Sequence, residues 1–204
     1  MRENGSEYLR KKEDDWRICV APQVLDRFTL PFLPGSDEQK LLEQFRIDID
    51  KRYAHGLVIG RFQPLHYGHI FLIKQALEIA QNITIGIGSC NKESFDNPWT
   101  GGERELRLVR VLEGLGLAGR ISKIVRLHDF DDDDLWLEET LKKTGRVDGV
   151  VGNNDLVNDI FARWNFSVTT THLYYRDTYE GRKIRKRLRG TLKSANFPPR
   201  HING

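Results

Sequence analysis

Cysteine is scarce in this chain: only Cys19 and Cys90 occur, far apart in sequence. That excludes a disulfide framework and gives no cysteine-based metal site. Long apolar runs are missing too, and none approaches the roughly 18–20 residues that a membrane-spanning helix needs. The first residues, Met1-Arg2-Glu3-Asn4-Gly5-Ser6-Glu7, lack the apolar stretch of a secretory signal. Internal repeats are also lacking. These shortages predict a protein of the reducing cytoplasm with no membrane partner.

What is present suits a soluble domain with an extension, since 204 residues can bury a sizeable core. Hydrophobic residues make up 39% and charged residues 30%, an ordinary balance. The net charge of +3 hides an uneven distribution. Residues 182–193 hold seven basic side chains and no acidic one, while Asp129 and Asp131 to Asp134 form an acidic cluster. The basic block suits phosphate or nucleic acid, or a solvated helix end. The aspartate run reads as a solvated loop rather than a metal site.

From Leu57 onward, strand-like and helix-like segments alternate. Residues 57–59, 83–88, 121–127, 147–151 and 168–173 read as strands. Between them, Ile70, Ile73, Leu77 and Ala80 recur at helical spacing, and residues 102–115 predict a helix burying Leu106, Val109, Leu112 and Leu115. Residues 135–143 read as helical, Leu156, Val157, Ile160, Phe161 and Trp164 form another apolar face, and 182–189 make a final short helix. This rhythm predicts an α/β fold, a Rossmann-like parallel sheet with helices on both faces. Ligands collect at the carboxyl ends of such strands, and the motif loops follow Ile59, Ile87 and Val151 at that edge. Residues 1–55 stand apart, with a strand expected at 16–21, a connector at 31–36, and an amphipathic helix from Glu38 to Ile49 showing Leu41, Leu42, Phe45 and Ile49.

The segment Gly60-Arg61-Phe62-Gln63-Pro64-Leu65-His66-Tyr67-Gly68-His69 leaves a strand and enters a helix. Gly60 permits close backbone approach, and Gly68 leaves room beside the imidazoles. Free N–H groups and the dipole at a helix start favour an anion. His66 and His69, three apart, address one region and suit donation to phosphate oxygens. Nucleotidyl transfer needs in-line positioning and charge stabilisation at the α-phosphate, so histidines acting as electrostatic clamps fit better than a general base. Zinc would need a third ligand, and none is obvious nearby.

This segment, followed in order by Asn97-Pro98-Trp99-Thr100-Gly101-Gly102-Glu103-Arg104, Gly152-Asn153-Asn154-Asp155-Leu156-Val157 and Tyr174-Tyr175-Arg176-Asp177, resembles the nucleotidyltransferase superfamily. More closely, the chain is similar to archaeal-type nicotinamide-nucleotide adenylyltransferases over residues 56–189. The resemblance implies adenylyl transfer from ATP to nicotinamide mononucleotide, giving NAD and pyrophosphate. It divides the chain into an N-terminal extension (1–55), a nucleotidyltransferase domain (56–190) and a tail (191–204). It implies that Arg61, His66, His69 and Arg185 face the triphosphate, with Gly60, Phe62, Gln63 and Gly68 forming the cradle. Asn97 and Trp99 would serve the nicotinamide side, Arg104 a bound nucleotide, Asn153 and Asn154 the nucleotides where the sheet opens, and Arg182 a phosphate. Bland alternatives stand beside these: Trp99 as a lid or core aromatic, Asn153 and Asn154 as turn and cap, Arg185 as part of a basic surface helix. Magnesium is expected with ATP, self-association is common among relatives, and nucleic acid is not the expected partner.

The chain departs from the family at Glu180-Gly181-Arg182-Lys183-Ile184-Arg185, where relatives carry serine-glycine-threonine. Two hydroxyls are missing, and each is worth roughly 1.5–3 kcal/mol when it donates to a charged phosphate. Arg182 and Lys183 are candidates to compensate. The resemblance also implies a tryptophan-containing segment and a further helix after Arg189, for which Asn196-Phe197-Pro198-Pro199-Arg200 is a poor substitute. Two other functions remain open: transfer to a different phosphate-bearing acceptor or from CTP, and a nucleotide-binding, RNA-associated regulator without catalysis.

Overall fold

Apolar runs and helical stripes alternate along the sequence, and the backbone follows them closely. A computed structural model describes residues 36–48, 52–94, 97–173 and 176–194. In order these form α1 (Ser36–Asp48), β1 (Tyr53–Gly60), α2 (Tyr67–Ile79), β2 (Ala80–Ile87), α3 (Gly101–Gly114) and β3 (Ile121–Arg126). Then come α4 (Asp133–Thr144), β4 (Gly149–Val151), α5 (Asp155–Arg163), β5 (Ser167–Thr169) and α6 (Gly181–Ser194). The strand expected at 16–21 and most of the connector lie outside the described residues.

The sheet runs β3-β2-β1-β4-β5, and every pairing is parallel. Leu57, Val58, Ile83, Ile85 and Ile87 are fully buried, as strands covered on both faces require. One face packs Val58 and Ile85 against Ile70, Ile73 and Leu112, from α2 and α3. The other packs Leu57 and Val150 against Leu137, Ile160 and Phe161, from α4 and α5. Trp136 joins this second core edge-on to Phe161, with ring centroids 6.0 Å apart. The winding reverses direction between β1 and β4, which opens a crevice beyond their carboxyl ends.

Helix starts are chemically marked. Asp132 caps α4, accepting from the Leu135 N–H at 2.8 Å, with Asp133 and Asp134 in the first turn and Lys142 and Lys143 in the last. Asp133 further pairs with Arg163 at 2.6 Å, and Asp134 accepts from the Trp164 indole at 3.0 Å. The aspartate run is therefore a helix start anchored to α5.

Two faces differ from expectation. Leu106, Val109 and Leu115 are exposed by 74%, 37% and 43%, whereas α3 buries Arg104, Leu108, Val111 and Leu112. The buried stripe contains an arginine, so apolar periodicity alone selected the wrong phase. On α5, Ile160 and Phe161 are buried while Leu156 and Trp164 are exposed. Strand limits also shift: Ala80 opens β2 rather than ending a helix, β5 stops at Thr169, and β1 begins at Tyr53, inside the segment assigned to the extension.

Candidate active site

His66 caps α2 in an extended conformation, and the helix starts just beyond the carboxyl end of β1, with the His69 N–H donating to the His66 carbonyl at 2.9 Å. Its own N–H donates to His69 Nδ1 at 3.3 Å, and the two rings stack with centroids 3.7 Å apart. That bond puts the His69 proton on Nε2, where it is available to a ligand. His66 Nδ1 is buried with no hydrogen-bond partner among the described residues. Burial pushes the His69 imidazole down to about 3. Burial, then His69 and then Arg185, lower His66 well below the usual histidine range. Both shifts favour the neutral imidazole at pH 7, which leaves each ring one N–H to donate. A Cβ at Gly68 would stand 3.1 Å from His66 Nδ1 and 3.3 Å from Tyr179 Cβ, so the packed ring leaves little room for any side chain.

The loop ahead of α2 is strained and braced. Phe62 (φ 50°) and Ser89 (φ 55°), at the exits of β1 and β2, adopt the left-handed conformation without being glycine. Arg104, only 2% exposed, supplies the brace. Its guanidinium donates to the carbonyls of Arg61 (2.7 Å), Gly88 (2.7 Å), Ser89 (3.3 Å) and Thr100 (3.2 Å), and to Cys90 Sγ (3.5 Å). All five of its N–H groups are thus engaged with the protein. Arg104 orders the loops around the crevice, and Arg61 leaves its own exposed side chain at the rim.

Gln63 joins the cradle to the second motif. Its Nε2 donates to the Trp99 carbonyl at 2.7 Å, and its Oε1 accepts from the Trp99 N–H at 3.2 Å. Asn97 Oδ1 is buried and has no partner among the described residues. Thr100 and Glu103 form a reciprocal capping box that starts α3 at this point. At the exit of β4, Asn153 Oδ1 accepts from the Thr171 N–H at 3.0 Å, holding the β5 exit beside the β4 exit. Asn154 is the exposed N-cap residue of α5 but makes no side-chain cap bond. Beneath it Asn158 donates to the Gly152 carbonyl at 3.1 Å, and Asn158 Oδ1 and Thr171 Oγ1 are buried without partners among the described residues.

The late side closes on the cradle through α6. Arg185 is 6% exposed and donates to the Gln63 carbonyl, near His66. Gly181 makes this approach feasible, because a Cβ there would fall 2.8 Å from the Gln63 oxygen. Glu180 is neutralised locally by Arg182 and Lys183, each at 3.4 Å, and Lys183 also reaches Asp177 at 3.1 Å. The Arg182 side chain is 80% exposed and leans toward Glu180.

Gly60, Phe62, Gln63, His66, Gly68 and His69 therefore gather with Arg185 and the backbone of Trp99. Arg182 stays at the surface, and Asn153 acts on the backbone of Thr171. Tyr179, absent from the sequence reading, lies 6.4 Å from the His66 ring and is 4% exposed. Nothing in its spacing marks it, since its role comes from the close approach of α6 to α2. Among the described residues no three His, Cys, Asp or Glu side chains gather as a metal site, and no helix is long and apolar enough to cross a membrane.

Residues 57–193 match the cytidylyltransferase-like family. The chain is 38% identical over 146 residues to the nicotinamide-nucleotide adenylyltransferase of Methanosarcina mazei, covering 71% of this chain and 82% of that protein. The enzyme of the same description from Methanococcus vannielii is 33% identical over 146 residues, covering 71% and 83%. In fold, the chain is similar to a bifunctional NMN adenylyltransferase/ADP ribose pyrophosphatase from Francisella tularensis, with TM-score 0.59 and 24% identity. It matches 66% of its own length and 42% of that bifunctional protein's, so it spans less than half of it. A second structure from the same organism, complexed with AMP and a manganese ion, gives TM-score 0.56.

Proposed function

This chain belongs to the cytidylyltransferase-like family, among its nicotinamide-nucleotide adenylyltransferases, and we propose that it joins nicotinamide mononucleotide to the adenylyl group of ATP. The products are NAD and pyrophosphate. One observation carries the reading: two neutral, stacked histidines and a buried arginine converge where the strand order reverses.

A phosphate oxygen of nicotinamide mononucleotide attacks the α-phosphorus of ATP. The bond from that phosphorus to the α,β-bridging oxygen breaks, and pyrophosphate leaves with the electron pair. The attacking group is already ionised at neutral pH, so the protein supplies position and charge stabilisation rather than a base. In this reading His69 Nε2–H and the first-turn amides of α2 receive phosphate oxygens, and Arg61 and Arg185 neutralise the triphosphate. Asn97, with its buried acceptor, and Trp99 serve the nicotinamide half. Asn153 and Asn154 border the opening between the two nucleotides, and Arg104 acts by holding the loops. The catalytic domain takes in β1 from Tyr53 and runs through α6 to Ser194, with α1 of the preceding extension packed on it. Magnesium would come with the triphosphate and would offset its charge, needing few protein ligands of its own. The reaction belongs in the cytoplasm.

Purified protein given ATP, magnesium and nicotinamide mononucleotide should release equal amounts of NAD and pyrophosphate. Folded protein at high concentration that forms no NAD would overturn the reading. Pyrophosphate release with another phosphate-bearing acceptor and none with this one would replace the acceptor while keeping the chemistry.

A further inference from the structure

We propose that Glu38, on a helix ahead of the matched family region, is a positioning residue that sets the two histidines through Tyr67. The inference rests on the adenylyl-transfer reading for its kinetic test.

Helix α1 is 13 residues long, too short to be stable alone in water. It is held by what it touches. Phe45, 1% exposed, enters the main core and meets the His172 ring edge-on, with centroids 5.7 Å apart. The His172 backbone is clamped in turn by Gln75 of α2, whose amide accepts its N–H at 2.8 Å and donates to its carbonyl at 3.0 Å. Thus α1 braces α2 and the exit of β5 together.

The polar contact is more specific. Glu38 is 2% exposed, and a carboxylate buried so deeply needs partners for both oxygens. One oxygen accepts from the Tyr67 hydroxyl at 2.7 Å and the other from Lys74 Nζ at 2.6 Å. Lys74 also donates to the Tyr67 hydroxyl at 3.3 Å, closing a three-membered network. Tyr67 is the first residue of α2 and lies between His66 and Gly68. Its ring stands 5.9 Å from Tyr179, which in turn stands 6.4 Å from the His66 ring. The network therefore fixes the rotation of the first turn of α2, from which both imidazoles project. A small rotation there displaces His69 Nε2 from its phosphate oxygen, and misplacement of that order costs rate far more than affinity.

The test uses the full chain with Tyr67→Phe, Glu38→Ala and Glu38→Gln, and Leu112→Val in the core as a stability control. Tyr67→Phe and Glu38→Ala should lower kcat for NAD formation by about ten- to a hundredfold, with KM for ATP moving less than about threefold. Glu38→Gln, which keeps an acceptor for the tyrosine, should recover part of that loss, while Leu112→Val should keep its kcat. Amide hydrogen exchange at residues 66–70, measured without ligand, should quicken in Tyr67→Phe and not in Leu112→Val. Unchanged kcat in folded Tyr67→Phe and Glu38→Ala overturns the proposal, as does unchanged exchange. If the natural chain forms no NAD, the proposed reaction falls, and the exchange measurement alone decides the positioning role.

Discussion

The early and late sides of the crevice solve one problem, the binding of a polyanion, by different means. On the early side, from Gly60 to His69, groups are buried and preset: two neutral histidines, a strained loop and five bonds from Arg104. On the late side, around Glu180 to Arg185, charges compensate one another at the surface, and only Arg185 reaches inward. A buried, oriented donor gains strength from the low local dielectric, whereas an exposed ion pair is screened by water.

Four measurements press on that contrast. Replacing His69 with Ala should have the largest effect, lowering kcat on the order of 100- to 1,000-fold while ATP binding changes little. Equal losses in turnover and binding would reduce the histidine to an anchor and erase the distinction between the sides. Next, Arg185→Ala should cost roughly ten- to a hundredfold in kcat/KM, the worth of a charged hydrogen bond. A negligible effect would place the whole late side outside the site.

The third measurement is stability against pH. Both histidines are depressed in the fold, so the unfolded chain binds protons that the folded chain refuses. Their contribution is fully present above about 6.5, and it is lost progressively as pH falls from there toward the value of about 3 for His69. Between pH 6.5 and 5, unfolding free energy should fall by up to about 1.4 kcal/mol per pH unit for each histidine. The slope should be shallower in His69→Asn by chemical denaturation, and an identical slope would mean that the ring is not held neutral. The smallest effect belongs to Glu180→Ser. Its charge is already paired by Arg182 and Lys183 at half-exposed to exposed positions, so activity should change by less than about threefold. A large gain would show that Glu180 repels the triphosphate after all.

The strand-helix rhythm and the loop edge were legible because the central stretches of β1 and β2 are largely apolar, with Leu57, Val58 and Ile59 in one and Ile83, Ile85 and Ile87 in the other, and Gly60 and Gly88 mark their exits. The phase of α3 was not. Arg104 sits on its buried face, and a polar residue inside a buried stripe defeats any reading by hydrophobicity. Residues 1–55 were read as separate, yet Glu38 and Phe45 tie their helix to α2, and β1 begins at Tyr53. No local pattern encodes that attachment, because its partners lie about 30 residues downstream or farther, at Tyr67, Lys74 and His172.

By itself the sequence determined the alternation of elements, the location of the phosphate loop and the family, since these depend on local propensity and on residue types at short spacing. Only the tertiary structure decided how the residues divide their labour. It turned Arg104 from a ligand-facing arginine into a brace, paired Glu180 within its own helix start, lowered the proton affinity of His66 and His69, and brought Glu38 to Tyr67. Burial and contacts between residues distant in sequence set the Arg104, histidine and Glu38 outcomes, whereas Glu180 pairs with Arg182 and Lys183 only two and three residues away, once the start of α6 orients them.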